Sequence, residues 1–287
     1  MTSRLAPVVA AVGPDRSAPA VAAAAADRAH RELRPLLLVA AVEGAHDPGR
    51  AHDGPWHRAL ARLDVLRRDL TARAPATPVR TVVRTGPASG VLREESAGAA
   101  VLVLGTGPAA GGLGPVARDL LASAACPVLA VPPGATGGSE VVAGVEGTAG
   151  TTAVLAAAAL EAGTRGCPLR VVHAWPGGGA LGGAAVPAAV AEAERRLVET
   201  HAARLHEGWP AVPVTVDVRE GDPAPALVRL SRDAGLLVLG RPRTPAGPAL
   251  VEAVAGHARC PVLVVPAPPP PRPDDARRRR AAVAPAR

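Results

Sequence analysis

Two glycine-rich stretches, each following a short apolar run, are the plainest candidates for chemistry in this chain. Gly105 ends the run VLVLG, and Gly107, Gly111, Gly112 and Gly114 follow it. Backbone so rich in glycine can approach an anion closely and aim N–H groups at it, most of all where a helix begins next. Gly240 ends the matching run LLVLG, and there Arg241 and Arg243 stand in the loop. Guanidinium groups could replace amides as partners for an anion. Against this, Pro115 and Pro248 carry no N–H and remove donors where phosphate would sit. A glycine that ends a buried strand at a tight turn has the same composition and needs no ligand. That reading is preferred for both Gly105 and Gly240.

The remaining reactive residues form no familiar constellation. Cys126 and Cys260 each precede a proline at the start of an apolar run, where a cysteine reads as a small buried hydrophobe. With Cys167 they make three, without metal-ligand spacing or a CxxC pair. His52 and His57 lack a second pair at ligand spacing. His201 and His206 are five apart and share a helix face poorly. His173 reads as a partly buried strand residue. The chain contains no Lys, which excludes lysine chemistry. It has no Gly-x-Ser-x-Gly elbow, no phosphate loop ending in Gly-Lys and no paired-carboxylate motif. No enzymatic activity is expected.

Bulk properties narrow the classes further. The 287 residues suffice for two domains of ordinary size. Nearly half are apolar, almost all Ala, Val and Leu, with no Phe or Tyr and three Trp. Small aliphatic side chains suit helices layered on a parallel sheet. The formal charge is +7, but residues 267–287 hold six Arg against two Asp. Without an aromatic stacking platform or a finger motif, nucleic acid is not an expected partner. No apolar run approaches the length of a membrane span. An odd cysteine count without a secretory signal points to a reducing cytoplasm.

The elements that would position the glycine loops occur twice. Val8–Val12 recurs as Val141–Val145, and Leu36–Val42 as Leu169–Trp175, both 133 residues on. Gly105 recurs at Gly240 and Cys126 at Cys260, offset by 135 and 134. Five strands in order at a near-constant spacing mark an internal duplication. Its seam falls near Pro132–Ser139. Within each copy, continuous apolar runs alternate with helical stretches, as buried parallel strands require. The fold class is α/β, two doubly wound five-stranded domains in tandem. Helices are expected over Ser17–Leu33, Trp56–Ala72, Pro87–Ala97, Pro115–Ser123, Thr151–Ala162, Val186–His206, Pro223–Asp233 and Ala249–His257. Leu60, Leu63, Leu66 and Leu70 form the expected core stripe of the second. Domain boundaries are set at 1–134 and 139–266, with a disordered Pro- and Arg-rich tail over 267–287.

Residues 8–266 resemble two tandem universal stress protein domains. Val141–Thr148 (VVAGVEGT), Leu169–Trp175 (LRVVHAW), Arg219–Leu227 (REGDPAPAL) and the Cys-Pro-Val-Leu run of both copies carry the resemblance. It implies a flavodoxin-like parallel sheet in each copy. It also implies an internal pseudo-dimer, with Pro127–Val131 pairing with Pro261–Val265 and a further homodimer allowed. Some members of the family bind ATP through Gly-x2-Gly-x9-Gly-[Ser/Thr]. In copy one Gly105 matches the first glycine, Pro108 stands at the second, Gly114 at the third and Pro115 at the hydroxyl position. In copy two Gly240 matches the first, while Arg243, Pro248 and Ala249 stand at the others. The loops are four and five residues shorter than the motif. The acidic residue that the family places near the nucleotide corresponds to Glu146 in copy two. In copy one Gly13 stands there and Asp15 lies two residues on.

These residues lead to a non-enzymatic stress-response or regulatory binding module with a degenerate nucleotide site. Its remnants are Gly105, Gly114, Gly240 and Glu146. No cofactor is expected, with ATP the candidate if one binds. The alternatives are an ATP-binding nucleotide sensor, a nucleotide-dependent transferase or hydrolase, and a nucleic-acid-associated protein acting through the Arg-rich tail.

Overall fold

Successive side chains on a strand point to opposite faces, and in this chain both faces are covered. In the computed structural model Val101 and Val103 pack into one apolar cluster, and Leu102 and Leu104 into another. That is why these strands read as unbroken apolar runs. The structure describes residues 5–44, 54–107, 112–135, 137–146, 150–175, 188–241 and 247–267. The tail beyond residue 267, the loop residues Pro108, Gly111, Gly147, Thr148 and Arg243, and His52 lie outside the described residues.

The first copy runs β1 (Val8–Ala11), α1 (Ala18–Arg31), β2 (Leu36–Val42), α2 (Pro55–Arg73), β3 (Val79–Thr85), α3 (Ala88–Ser96), β4 (Val101–Gly105), α4 (Pro115–Ser123) and β5 (Val128–Val131). The second runs β6 (Val141–Gly144), α5 (Thr151–Arg165), β7 (Leu169–Trp175), α6 (Ala188–Gly208), β8 (Val214–Glu220), α7 (Pro223–Leu230), β9 (Leu236–Gly240), α8 (Gly247–His257) and β10 (Val262–Val265). Each half is a doubly wound parallel sheet, flavodoxin-like in having helices on both faces. The strand order is β3-β2-β1-β4-β5-β10-β9-β6-β7-β8. The order therefore reverses between β1 and β4 in one half, and between β6 and β9 in the other.

The halves share one sheet. β5 pairs with β10 antiparallel, with Leu129 opposite Leu263, while the other strand pairs are parallel. Leu129 and Leu263 join the cluster under α1, α2, α5 and α6, and Val128 and Val262 join the one under α3, α4, α7 and α8. Apolar packing thus continues through the junction on both faces. An unpaired edge as apolar as VLAV would template aggregation.

Several helix limits differ from the sequence reading. α1 ends at Arg31, because Leu33 turns into the left-handed region at φ 52°. α5 runs three residues past Ala162 to Arg165, closed by Gly166 at φ 62°. The core stripe of α2 is Ala59, Leu63, Leu66 and Leu70, whereas Leu60 is 42% exposed. Ala59 keeps the 3-4 spacing and is fully buried. Its small side chain lets the helix lie close to the sheet, and the larger Leu60 one position on is rotated outward.

Candidate functional site

In open α/β sheets ligands collect outside the carboxyl ends of the strands, where the strand order reverses. The first half has that crevice at the ends of β1 and β4, and the second at the ends of β6 and β9. Because β5 and β10 are antiparallel, the two crevices open at opposite strand ends of the common sheet. Gly105 and Gly114 fall in the first, and Gly240 and Glu146 in the second.

In the first crevice close packing accounts for two of the glycines, Gly105 and Gly107. A Cβ on Gly105 would sit 2.6 Å from Ser17 Oγ and 3.2 Å from Ser17 Cβ, so glycine lets the start of α1 close onto the end of β4. Gly107 adopts φ +114°, and a Cβ on it would meet the Gly114 nitrogen at 2.9 Å. The Gly114 N–H donates to the Thr106 carbonyl at 2.8 Å, folding the loop back on itself. The Gly112 N–H points to the Gly256 carbonyl of α8 at 3.4 Å. Gly114 is the N-cap of α4 and Pro115 its first residue. The first intrahelical bond runs from Arg118 N–H to Gly114, which leaves the amides of Val116 and Ala117 at the helix start. Asp15 is exposed at the crevice mouth, and its carboxylate accepts the Ser17 N–H at 2.7 Å. A second negative charge entering there would be repelled.

Of the two guanidinium groups that could take an anion in the second crevice, Arg243 lies outside the described residues and Arg241 does not take that role. Instead Nε donates to the Leu121 carbonyl and Nη1 to the Ala124 carbonyl, each at 2.8 Å. Both acceptors belong to the C-terminal turn of α4 in the other half, where helix carbonyls have no intrahelical donor. Desolvation holds the Arg241 pKa below its ordinary value. Gly240 is again a packing glycine, since a Cβ there would meet Val154 Cγ2 at 3.0 Å. Glu146 is exposed one residue past Val145.

The sequence reading assigned no partner to His173, which lies beside the second crevice, and no role to two serines at the amino ends of the strands. His173, buried on β7, has Nδ1 2.8 Å from the Val145 carbonyl and Nε2 3.1 Å from Glu194 of α6. Buried Ser96 accepts the Ala125 N–H at 3.0 Å, and its repeat mate Ser231 accepts the Arg259 N–H at 2.9 Å. Comparing the copies position by position would have exposed the serine pair. Cys126 and Cys260 are buried, and burial pushes their thiols up to about 11 and about 12. Among the described residues no group of three or more His, Cys, Asp and Glu could hold a metal ion. No helix among them is long and apolar enough to cross a membrane.

Comparison with known proteins places this arrangement. The model described as Universal stress protein family matches residues 6–132 and again 139–266. A crystal structure of a functionally unknown protein from Pseudomonas aeruginosa is similar over 91% of this chain and 92% of its own, at 19% identity and a TM-score of 0.66. A universal stress protein from Archaeoglobus fulgidus is similar over 92% of this chain and 97% of its own, at 12% identity and a TM-score of 0.63. A further universal stress protein from Archaeoglobus fulgidus, solved in complex with dAMP, covers 45% of this chain with 97% of its own, at 25% identity and a TM-score of 0.36. No curated protein matches the sequence.

Proposed function

Because the chain belongs to the universal stress protein family in both of its halves, we propose that it is a non-enzymatic stress-response binding module. Its nucleotide position has been turned to structural use, and its function is carried by its surfaces. One observation carries this reading. Two donors that could face a phosphate are engaged with the protein's own carbonyls, the Gly114 N–H with Thr106 and the Arg241 guanidinium with Leu121 and Ala124. Freeing each donor for a ligand would leave a buried or half-buried carbonyl without its partner. Each such loss costs roughly 1–3 kcal/mol, which a bound nucleotide would have to exceed. Pro115 at the start of α4 supports the same reading. Three free thiols fit a reducing cytoplasm.

The test is mass spectrometry of small molecules released on denaturing the purified protein, with calorimetry against ATP and Mg²⁺. No nucleotide and no saturable heat from a folded sample is the expected result. Co-purified nucleotide, or micromolar binding, would show that Val116 and Ala117 still serve an anion. The protein would then be an ATP-binding sensor of its family.

A further inference from the structure

The two halves meet through ion pairs in which each position faces its own repeat equivalent. Arg28 Nη1 of α1 lies 2.5 Å from Glu161 Oε1 of α5, and the two are 133 residues apart, the same offset as Val8 and Val141. Val21 and Val154, also 133 apart, pack against Gly105 and Gly240 respectively, so the two helices superpose in that register. On the other face of the sheet Arg118 Nε of α4 lies 2.9 Å from Glu252 Oε2 of α8, 134 residues on, the offset of Cys126 and Cys260. Between them Leu129 opposes Leu263, again 134 apart. A residue that touches its own equivalent lies on the two-fold axis relating the copies. Both helix positions on that axis are Arg in the first half and Glu in the second.

The inversion extends one turn further. Arg28 also pairs with Glu32 at 2.8 Å, and Glu161 with Arg165 at 2.9 Å. Glu32 and Arg165 are themselves equivalents, so α1 carries Arg-x3-Glu where α5 carries Glu-x3-Arg. Side chains of Arg28 and Glu161 are 8% and 5% exposed, so water and salt screen them little. The central contact is close but not aligned as a hydrogen bond, and Arg28 Nε has no partner among the described residues. Such a pair is a poor source of net stability and a good device for choosing partners.

We infer that these charges make the junction heterospecific: the first half accepts the second half, its own or that of another copy, and rejects a copy of itself. A first half against a first half would bring Arg28 to Arg28 and Arg118 to Arg118. Two second halves would bring Glu161 to Glu161 and Glu252 to Glu252. If the internal junction opens, the partner each half takes is the opposite half of a second chain, which gives an exchanged dimer.

Full-length variants test this. A basic chain carries Glu161→Arg, Arg165→Glu and Glu252→Arg, which keeps the pair within α5 but sets Arg against Arg on the axis. An acidic chain carries Arg28→Glu, Glu32→Arg and Arg118→Glu. An exchange chain carries all six changes and restores opposite charges everywhere. Light scattering and thermal melts are read for each. The basic and acidic chains are expected to melt about 10 °C lower than the parent. Mixed one to one, they should form a two-chain complex at least about tenfold tighter than either forms with itself. The exchange chain should be monomeric and melt within about 3 °C of the parent. If the basic chain fails to fold and the exchange chain folds, the proposal stands on that rescue. It is overturned if the basic chain is monomeric with an unchanged melt, if the exchange chain is as damaged as the basic one, or if the folded basic and acidic chains do not associate on mixing.

Discussion

Arg241, the residue after β9, reaches out of its own half and closes the helix end at Leu121 in the other, with Nε 2.8 Å from the Leu121 carbonyl oxygen. The same guanidinium takes the carbonyl of Ala124, the C-cap of α4. One planar fork thus serves two carbonyls that the helix leaves without donors. In the opposite direction the Gly112 amide approaches Gly256 near the end of α8, at 3.4 Å. Each family-type loop is in this way tied to the other half, so the contacts of the two loops also contribute to the junction.

Replacing Arg241 should therefore loosen the whole molecule, not a ligand site alone. Arg241→Met keeps much of the apolar stem and removes both charge-assisted hydrogen bonds. A loss of about 2–3 kcal/mol in urea unfolding is expected. Arg241→Lys should recover less than half of that, because a single ammonium cannot reproduce the fork. Full recovery by lysine would mean that only the charge matters.

The paired serines predict an additive effect. Ser96 and Ser231 each donate to a carbonyl three residues back, of Arg93 and Val228, and accept an amide from the turn before the last strand of their half. Ser96→Ala and Ser231→Ala should each cost about 1–2 kcal/mol by leaving the amides of Ala125 and Arg259 without partners. Sitting in different halves, they should sum to within about 0.5 kcal/mol in the double variant. Denaturant titration of the three variants measures this directly.

What could be read in the sequence was whatever depends on local period and on repetition. The apolar runs that became β4 and β9, and the offset that links Cys126 to Cys260, needed no tertiary knowledge. The stripe of α2 slipped by one residue at its first turn, because side-chain hydrophobicity favours Leu60 while close helix–sheet approach favours Ala59. The site glycines were legible as glycines, but not what crowds them. Ser17 over Gly105 and Val154 over Gly240 depend on how a helix docks far along the chain. The direction of Arg241 was hidden for a deeper reason. It depends on β10 lying antiparallel to β5, a relation between halves that no window of sequence contains.

Leu33 and Gly166 hold the same helix-closing position with different residues. Both are left-handed, at φ 52° and 62°, and both are followed by the same backbone bond, Arg34 N–H to Ala29 and Cys167 N–H to Ala162. A leucine in this region is strained by roughly 1–2 kcal/mol, and with 82% of its surface exposed it gains little from burial. Leu33→Gly should raise stability by about 0.5–1 kcal/mol after the added freedom of the unfolded chain is counted. The melting temperature would rise by about 1–2 °C. Gly166→Leu should lower it by a similar amount. An unchanged melt for Leu33→Gly would show that the exposed leucine makes compensating contacts.

The buried thiols predict how stability falls in alkali. Burial pushes Cys126 up to about 11 and Cys260 up to about 12, and Cys167 is raised in the same direction by its partial burial. In the unfolded chain each loses its proton near pH 8.5. Below that pH both states hold the protons, and the thiols contribute no slope. Above it the unfolded chain binds fewer protons than the folded one, so unfolding becomes easier as pH rises. The window runs from about pH 8.5 to the folded values near 11 and 12. Within it Cys126 and Cys260 together should give a slope approaching about 2–3 kcal/mol per pH unit. Urea midpoints between pH 8 and 10.5 measure the slope, and Cys126→Ala with Cys260→Ala should remove most of it. A slope that survives in the double variant would assign the alkaline loss to other groups. Thiol labelling at pH 8 gives a second readout, in which half-buried Cys167 should react well before the other two.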